Sequence, residues 1–172
     1  MPAWPFSPSR ASKDARLLLH QITTVSRNPA LFGEGRVPDT LDGRFELITL
    51  HAALALVRLG QAPEAEALAQ AFVDALFQHL DWGLREDGVG DLAVPKRIYK
   101  LAGVFYRRAD GCTKALSAQG SALQSVLTRN VLAGQTVFAE ALTQYVRSLG
   151  AAQAELAWPA LLTEEGWRRF VA

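Results

Sequence analysis

The stretch from Leu41 to Gly60 carries apolar residues on nearly every side of a helix. One stripe is Leu41, Phe45, Ile48, Ala52, Ala55 and Leu59; a second is Leu47, Leu50, Leu54 and Val57. A helix apolar all round has to be wrapped by other helices or placed in lipid. Its greasiest part, Leu47 to Leu59, is 13 residues long and contains His51 and Arg58. A bilayer span takes about 20 apolar residues. The stretch is therefore expected as the buried spine of a helical bundle.

The rest of the chain agrees with that class. No segment sustains the period-2 alternation of a half-buried strand, and no internal repeat occurs. At 172 residues and 18.7 kDa, a single domain can bury a core without metals or disulfides. The expectation is an all-α, single-domain bundle of about six helices with a short helical C-terminal tail. Its helices run roughly from Asp14 to Ser26, Thr40 to Gly60, Pro63 to Gly88, Asp91 to Gly111, Thr113 to Val131 and Thr136 to Leu149. Asn28-Pro29 closes the first of these, and Pro29 to Phe32 reads as one short turn. Asp39 or Thr40 suits the N-cap of the second helix, and Asp91 that of the fourth. The third has Leu68, Phe72, Leu76 and His79 or Leu80 as its inner stripe. Residues 1–13 read as a flexible Pro-rich arm, and 14–172 as the domain.

Charge and chemistry exclude several classes. Charged residues are 20% of the chain and hydrophobic ones 49%, which is slightly greasy against a usual charged share of about 25%. A net charge of +1 argues against nucleic-acid binding by bulk charge. The one cysteine, Cys112, rules out an internal disulfide framework and a cysteine-built zinc site. Three prolines in the first eight residues forbid a signal-peptide helix, so the expectation is a cytoplasmic protein without a cleaved leader. Trp4 and Phe6 are read as packing on their own domain, with a peripheral membrane anchor as the alternative.

No metalloprotease, di-iron or nucleophile-elbow motif is present. No catalytic residue, metal site or cofactor is expected. His51 and His79 fall on helices expected to pack together. They read as hydrogen-bonded residues at a core edge, and the alternative is a haem- or small-molecule-binding helical domain. Cys112 reads as a passive thiol. Gly88-Val89-Gly90 follows a helix, not a strand, so it is no dinucleotide loop.

Two segments are dense in charge beside special backbone residues: Val37 to Glu46, and Asp81 to Asp91 continuing to Lys96 and Lys100. Capping and turn chemistry accounts for Gly88, Gly90 and Asp91. It does not call for Arg44, Arg85, Glu86, Lys96 and Lys100 together. If the second and third helices form an antiparallel hairpin, both segments meet at one end of the bundle. The resulting docking surface would take its apolar part from Trp82, Leu84, Val89 and Leu92. Its polar rim would come from Asp39, Asp42, Arg44, Arg85, Glu86, Asp91, Lys96 and Lys100. A plain solvated face, with Trp82 and Leu84 as core, is the competing reading.

These segments resemble the ubiquinol–cytochrome c chaperone family. The resemblance rests on Val37-Pro38-Asp39-Thr40, Asp42-Gly43-Arg44-Phe45, Leu50-His51, Leu84-Arg85-Glu86, Gly88-Val89-Gly90-Asp91-Leu92, and Lys96 with Lys100. It implies a non-enzymatic, all-helical chaperone whose client is newly made cytochrome b and which supports biogenesis of respiratory complex III. It also implies a small co-chaperone and a ribosome contact as candidate partners, as for the mitochondrial members. The chain shows no mitochondrial presequence, which fits a bacterial-type member working in the cytoplasm, with peripheral inner-membrane contact as a further candidate. A generic helical adaptor for some other membrane complex is the remaining alternative.

Overall fold

A computed structural model describes residues 9–86, 88–118 and 120–168. It contains six α-helices: α1 Arg10–Ser26, α2 Leu41–Gly60, α3 Glu66–Glu86, α4 Val94–Ser117, α5 Ala122–Asn130 and α6 Ala139–Glu155. Short 3-10 turns occupy Pro29–Leu31, Pro63–Ala65, Trp158–Leu162 and Glu164–Trp167. Among the described residues there is no strand, only an isolated bridge between Phe32 and Val37. The all-helical single-domain expectation is met. Trp4, Phe6, Phe170 and most of the expected arm lie outside the described residues.

α2 is the spine. Leu47, Leu50, Ala52, Ala53, Leu54, Ala55 and Leu59 are all buried in it, and Thr40 caps its start by accepting from the Gly43 N–H at 3.1 Å. Leu41, expected in the first of the two apolar stripes, is instead exposed as the first residue of the helix. α3 buries Leu68, Phe72 and Leu76 and packs chiefly on α1, less on α2. His79 points to solvent and Leu80 is half-buried. The expected hairpin of the second and third helices is therefore a loose one, with α1 wedged as the main partner of α3.

Several helix boundaries differ from those expected. α1 starts at Arg10 rather than Asp14, since the Ser9 hydroxyl caps it from the Ser12 N–H at 3.1 Å; residues 10–13 are helix, not arm. α4 runs through Gly111 to Ser117. Gly111 keeps ordinary helical backbone in open space, and one helical glycine costs only about 1 kcal/mol. The buried line Phe105, Cys112, Ala115 carries the helix past it. The break comes near Gly120, which adopts a left-handed φ of 77°, so the expected fifth helix shortens to Ala122–Asn130. α6 passes Gly150 to Glu155. A Cβ at Gly150 would stand 3.5 Å from Leu54 Cδ2, so the glycine marks a close crossing with α2, not an end.

The C-terminal turns close the bundle over α2. Trp167 is buried and donates from Nε1 to the Leu161 carbonyl at 3.0 Å. Gln153 Nε2 donates to the Gly166 carbonyl at 2.9 Å. Arg58 donates from two nitrogens, at 2.9 and 2.7 Å, to the Leu156 carbonyl that ends α6. A cation there also suits the negative pole of that helix.

Candidate functional site

Two helical registers locate the site. Glu46 of α2 accepts from Arg108 of α4 at 3.1 Å, and a Cβ on Gly150 would meet both Leu54 and Leu116, at 3.5 and 4.0 Å. Both pairs have the same sequence offset, so α2 and α4 run side by side in one direction. Phe77 of α3 meets Phe105 of α4 edge-on, with ring centroids 5.6 Å apart, and the link between Glu86 and Val94 is too short to run back along α3, so these two helices run antiparallel. The start of α2 is then level with the middle of α4, and the α3–α4 hairpin extends beyond it. The burial pattern agrees: among the described residues, no hydrophobic residue between positions 81 and 104 belongs to, or packs against, the main hydrophobic core. The tip has its own small buried pair, Leu84 and Val94.

The tip is built by its turn chemistry. Gly88, at φ 80°, ends α3. Its N–H donates to the Arg85 carbonyl at 3.1 Å, and the Val89 N–H donates to the Leu84 carbonyl at 3.0 Å. This double bond pattern needs a left-handed residue after the helix, hence glycine. Asp91, expected to cap α4, does not. The cap position is Ala93, without a side-chain bond. Asp91 instead accepts from Arg85 Nη1, while Asp81 accepts from Arg85 Nε at 2.7 Å. The hydrogen bond to Asp81 is the main reason the Arg85 guanidinium is held above its usual pKa. Asp87 lies outside the described residues.

Beside this cluster stand large apolar groups that folding leaves in water. Trp82 is 70% exposed, Leu92 99% and Tyr99 83%. Val89 is half-buried, and Glu86, Lys96 and Lys100 are exposed. Leu84, 8% exposed, is core of the tip rather than docking surface.

The first charged segment has a different role. Val37 is fully buried, and a Cβ on Gly43 would stand 2.0 Å from the Pro38 carbonyl oxygen. Val37, Pro38, Thr40 and Gly43 thus pin the loop 33–38 onto the first turn of α2. Asp42 is exposed there. Arg44 donates to Asp39 at 2.7 Å, and that bond holds the Asp39 carboxyl below its usual pKa. Among the described residues, no ion pair or hydrogen bond joins this pair to the Arg85 cluster. Register sets Arg44 level with Tyr106. Lys96 and Lys100 lie ten and six residues further out, about 15 and 9 Å at 1.5 Å per residue. The single ionic platform expected from a tight hairpin of the second and third helices is thus two clusters at different heights. The reason is the packing of α3 on α1.

His51 is buried and engaged at both ring nitrogens. Nδ1 lies 2.8 Å from the Leu47 carbonyl and 2.9 Å from Ser26 Oγ; Nε2 lies 2.7 Å from the Tyr145 hydroxyl. A carbonyl only accepts, so Nδ1 carries the proton and Nε2 accepts from Tyr145. Burial pushes the imidazole pKa down to about 4. His51 is thus a neutral core tie, as the plain reading expected, with no nitrogen free for haem. The ion pair of Glu46 with Arg108, which also donates to Asn130, joins α2, α4 and α5. The sequence offered no signal for it, since its members sit on three helices.

A family model described as ubiquinol-cytochrome C chaperone matches residues 34–169. The crystal structure of the Cbp3 homolog from Brucella abortus is similar at 34% sequence identity, over 95% of this chain and 92% of that one, with a TM-score of 0.79. Comparison with the curated proteins yields no match.

Proposed function

Because the chain belongs to the ubiquinol–cytochrome c chaperone family, we propose that it is a non-enzymatic assembly chaperone of respiratory complex III. Its client is newly made cytochrome b, held by the tip of the α3–α4 hairpin at the cytoplasmic face of the inner membrane. A small co-chaperone and the ribosome are its further candidate partners. The observation that carries the reading is the exposure of Trp82 and Leu92 beside the Arg85–Asp81–Asp91 cluster, outside the core. Apolar side chains rimmed by charge, on a segment that core packing does not require, are what a protein-binding surface needs. The loops a multi-helix membrane protein leaves on the cytoplasmic side carry an excess of Lys and Arg. Asp81, Glu86 and Asp91 offer complementary carboxylates. Asp39, Asp42 and Arg44 form a secondary contact further down the body.

The test is capture of cytochrome b from the same cell by the full chain in mild detergent. Glu86→Lys, which reverses one of the tip's exposed carboxylates, and Trp82→Ala should each lower capture severalfold while helix content and melting stay as in the wild type. Undiminished capture by both folded variants would remove the tip from the function.

A further inference from the structure

Between Val94 and Arg108 the sequence holds five cations, Lys96, Arg97, Lys100, Arg107 and Arg108, and no carboxylate. Arg108 is accounted for by Glu46 and Asn130. The other four form no ion pair among the described residues. Lys96, Arg97 and Lys100 occupy the first two turns of α4, the positive pole of the helix, where cations work against stability. The first turn has no acidic residue to offset them. Folding gains nothing from this arrangement, and a local rule broken without internal compensation marks a surface that serves something outside the fold.

Helical periodicity puts Lys96, Tyr99, Lys100, Gly103, Tyr106 and Arg107 on one face of α4. That face lies opposite the buried line of Val94, Phe105 and Cys112. Tyr99 and Tyr106 are 83% and 55% exposed, and Leu92 projects fully just before the helix starts. A basic amphipathic helix carrying aromatic side chains suits the boundary of an anionic bilayer, and tyrosine rings favour headgroup depth.

We infer that this outer face of α4 docks on an anionic phospholipid surface, with its lysines and arginines on headgroup phosphates and Tyr99, Tyr106 and Leu92 in the interfacial layer. The cytoplasmic loops of a membrane-protein client are themselves basic, so this face repels them where the carboxylates of the tip attract them. Lys96 and Lys100 thereby pass from the client rim to the lipid side, and Leu92 stands where the two surfaces meet. A net charge of +1 supplies little of the bulk attraction that a nucleic acid requires. The inference rests on the membrane-side reading above, but its test needs no client.

The full chain is sedimented with vesicles of phosphatidylcholine alone, and of phosphatidylcholine mixed with phosphatidylglycerol. It should bind the mixed vesicles only, and added salt should weaken binding. Lys96→Gln with Lys100→Gln should lose roughly thirtyfold in affinity, at about 1 kcal/mol per basic residue. Tyr99→Ser should lose affinity on its own. Both variants should keep wild-type helix content and still capture cytochrome b in detergent. Glu86→Lys should do the reverse, binding the mixed vesicles at least as well as the wild type while capturing severalfold less client. Equal binding to both vesicle types, binding to neither, or tighter binding to a single-stranded RNA oligonucleotide than to the mixed vesicles would overturn the inference.

Discussion

At the scale of single residues, the buried imidazole sets a pH dependence. The pKa of His51 falls from about 6.5 to about 4 because burial disfavours the cation. A group depressed in this way stabilises the fold fully above its unfolded pKa. The contribution is then lost as pH drops from about 6.5 toward 4, amounting to about 3 kcal/mol at the lower limit. Glu46 acts the other way, since burial raises its carboxyl despite Arg108, and protonation relieves that cost. Urea unfolding across this window should therefore show a steeper acid loss for the wild type than for His51→Gln, which is less stable at neutral pH. Parallel curves would mean that the ring is protonated without penalty. Cys112 is inert for a similar reason. Burial lifts its thiol to about 11, so alkylation of the native protein at neutral pH should be far slower than in urea.

At the scale of elements, two glycines make opposite predictions. Gly43→Ala drives a Cβ into the Pro38 carbonyl oxygen, a backbone atom that cannot rotate away. It should cost about 1–3 kcal/mol, as overpacking does. Gly111→Ala adds a methyl group in open space on ordinary helix and should gain about 0.5–1 kcal/mol. Thermal melts of the two variants should move in opposite directions. The same pair shows what was legible beforehand. Periodicity revealed each helix, because an apolar stripe is a local pattern. It placed the stops at Gly60 and Gly88 but misplaced those at Gly111 and Gly150, which differ from Gly88 and Gly120 in backbone angles that composition does not carry. Motif density singled out both charged segments. Whether they touch was decided by α1 taking up α3, a tertiary preference that no window of sequence contains. Asp91 shows the same limit: a good cap by type, it was drawn away by a guanidinium six residues upstream.

At the scale of the whole molecule, the hairpin tip and the body should be separable in stability. The described residues between 81 and 104 add no side chain to the main hydrophobic core, so Lys96→Gln with Lys100→Gln should shift unfolding free energy by no more than about 0.5 kcal/mol. A change of several kcal/mol in urea titration would mean that the tip is structurally coupled to the bundle. The far end should behave in the opposite way. Stopping the chain after Leu156 removes Leu161 and Trp167 from the core, and should leave a protein that limited proteolysis digests rapidly. The turns lost there also pack on α1, so the defect should reach the opposite terminus of the sequence.

Trp167 stands edge-on to the His51 ring, with centroids 6.1 Å apart. The innermost helix is thus sealed by turns that follow it far along the chain. During synthesis α1 and α2 emerge from the ribosome with their greasy faces uncovered, and they wait for residues not yet joined. Such a polypeptide completes its fold only once those closing turns have left the exit tunnel, and until then it is itself in need of shelter.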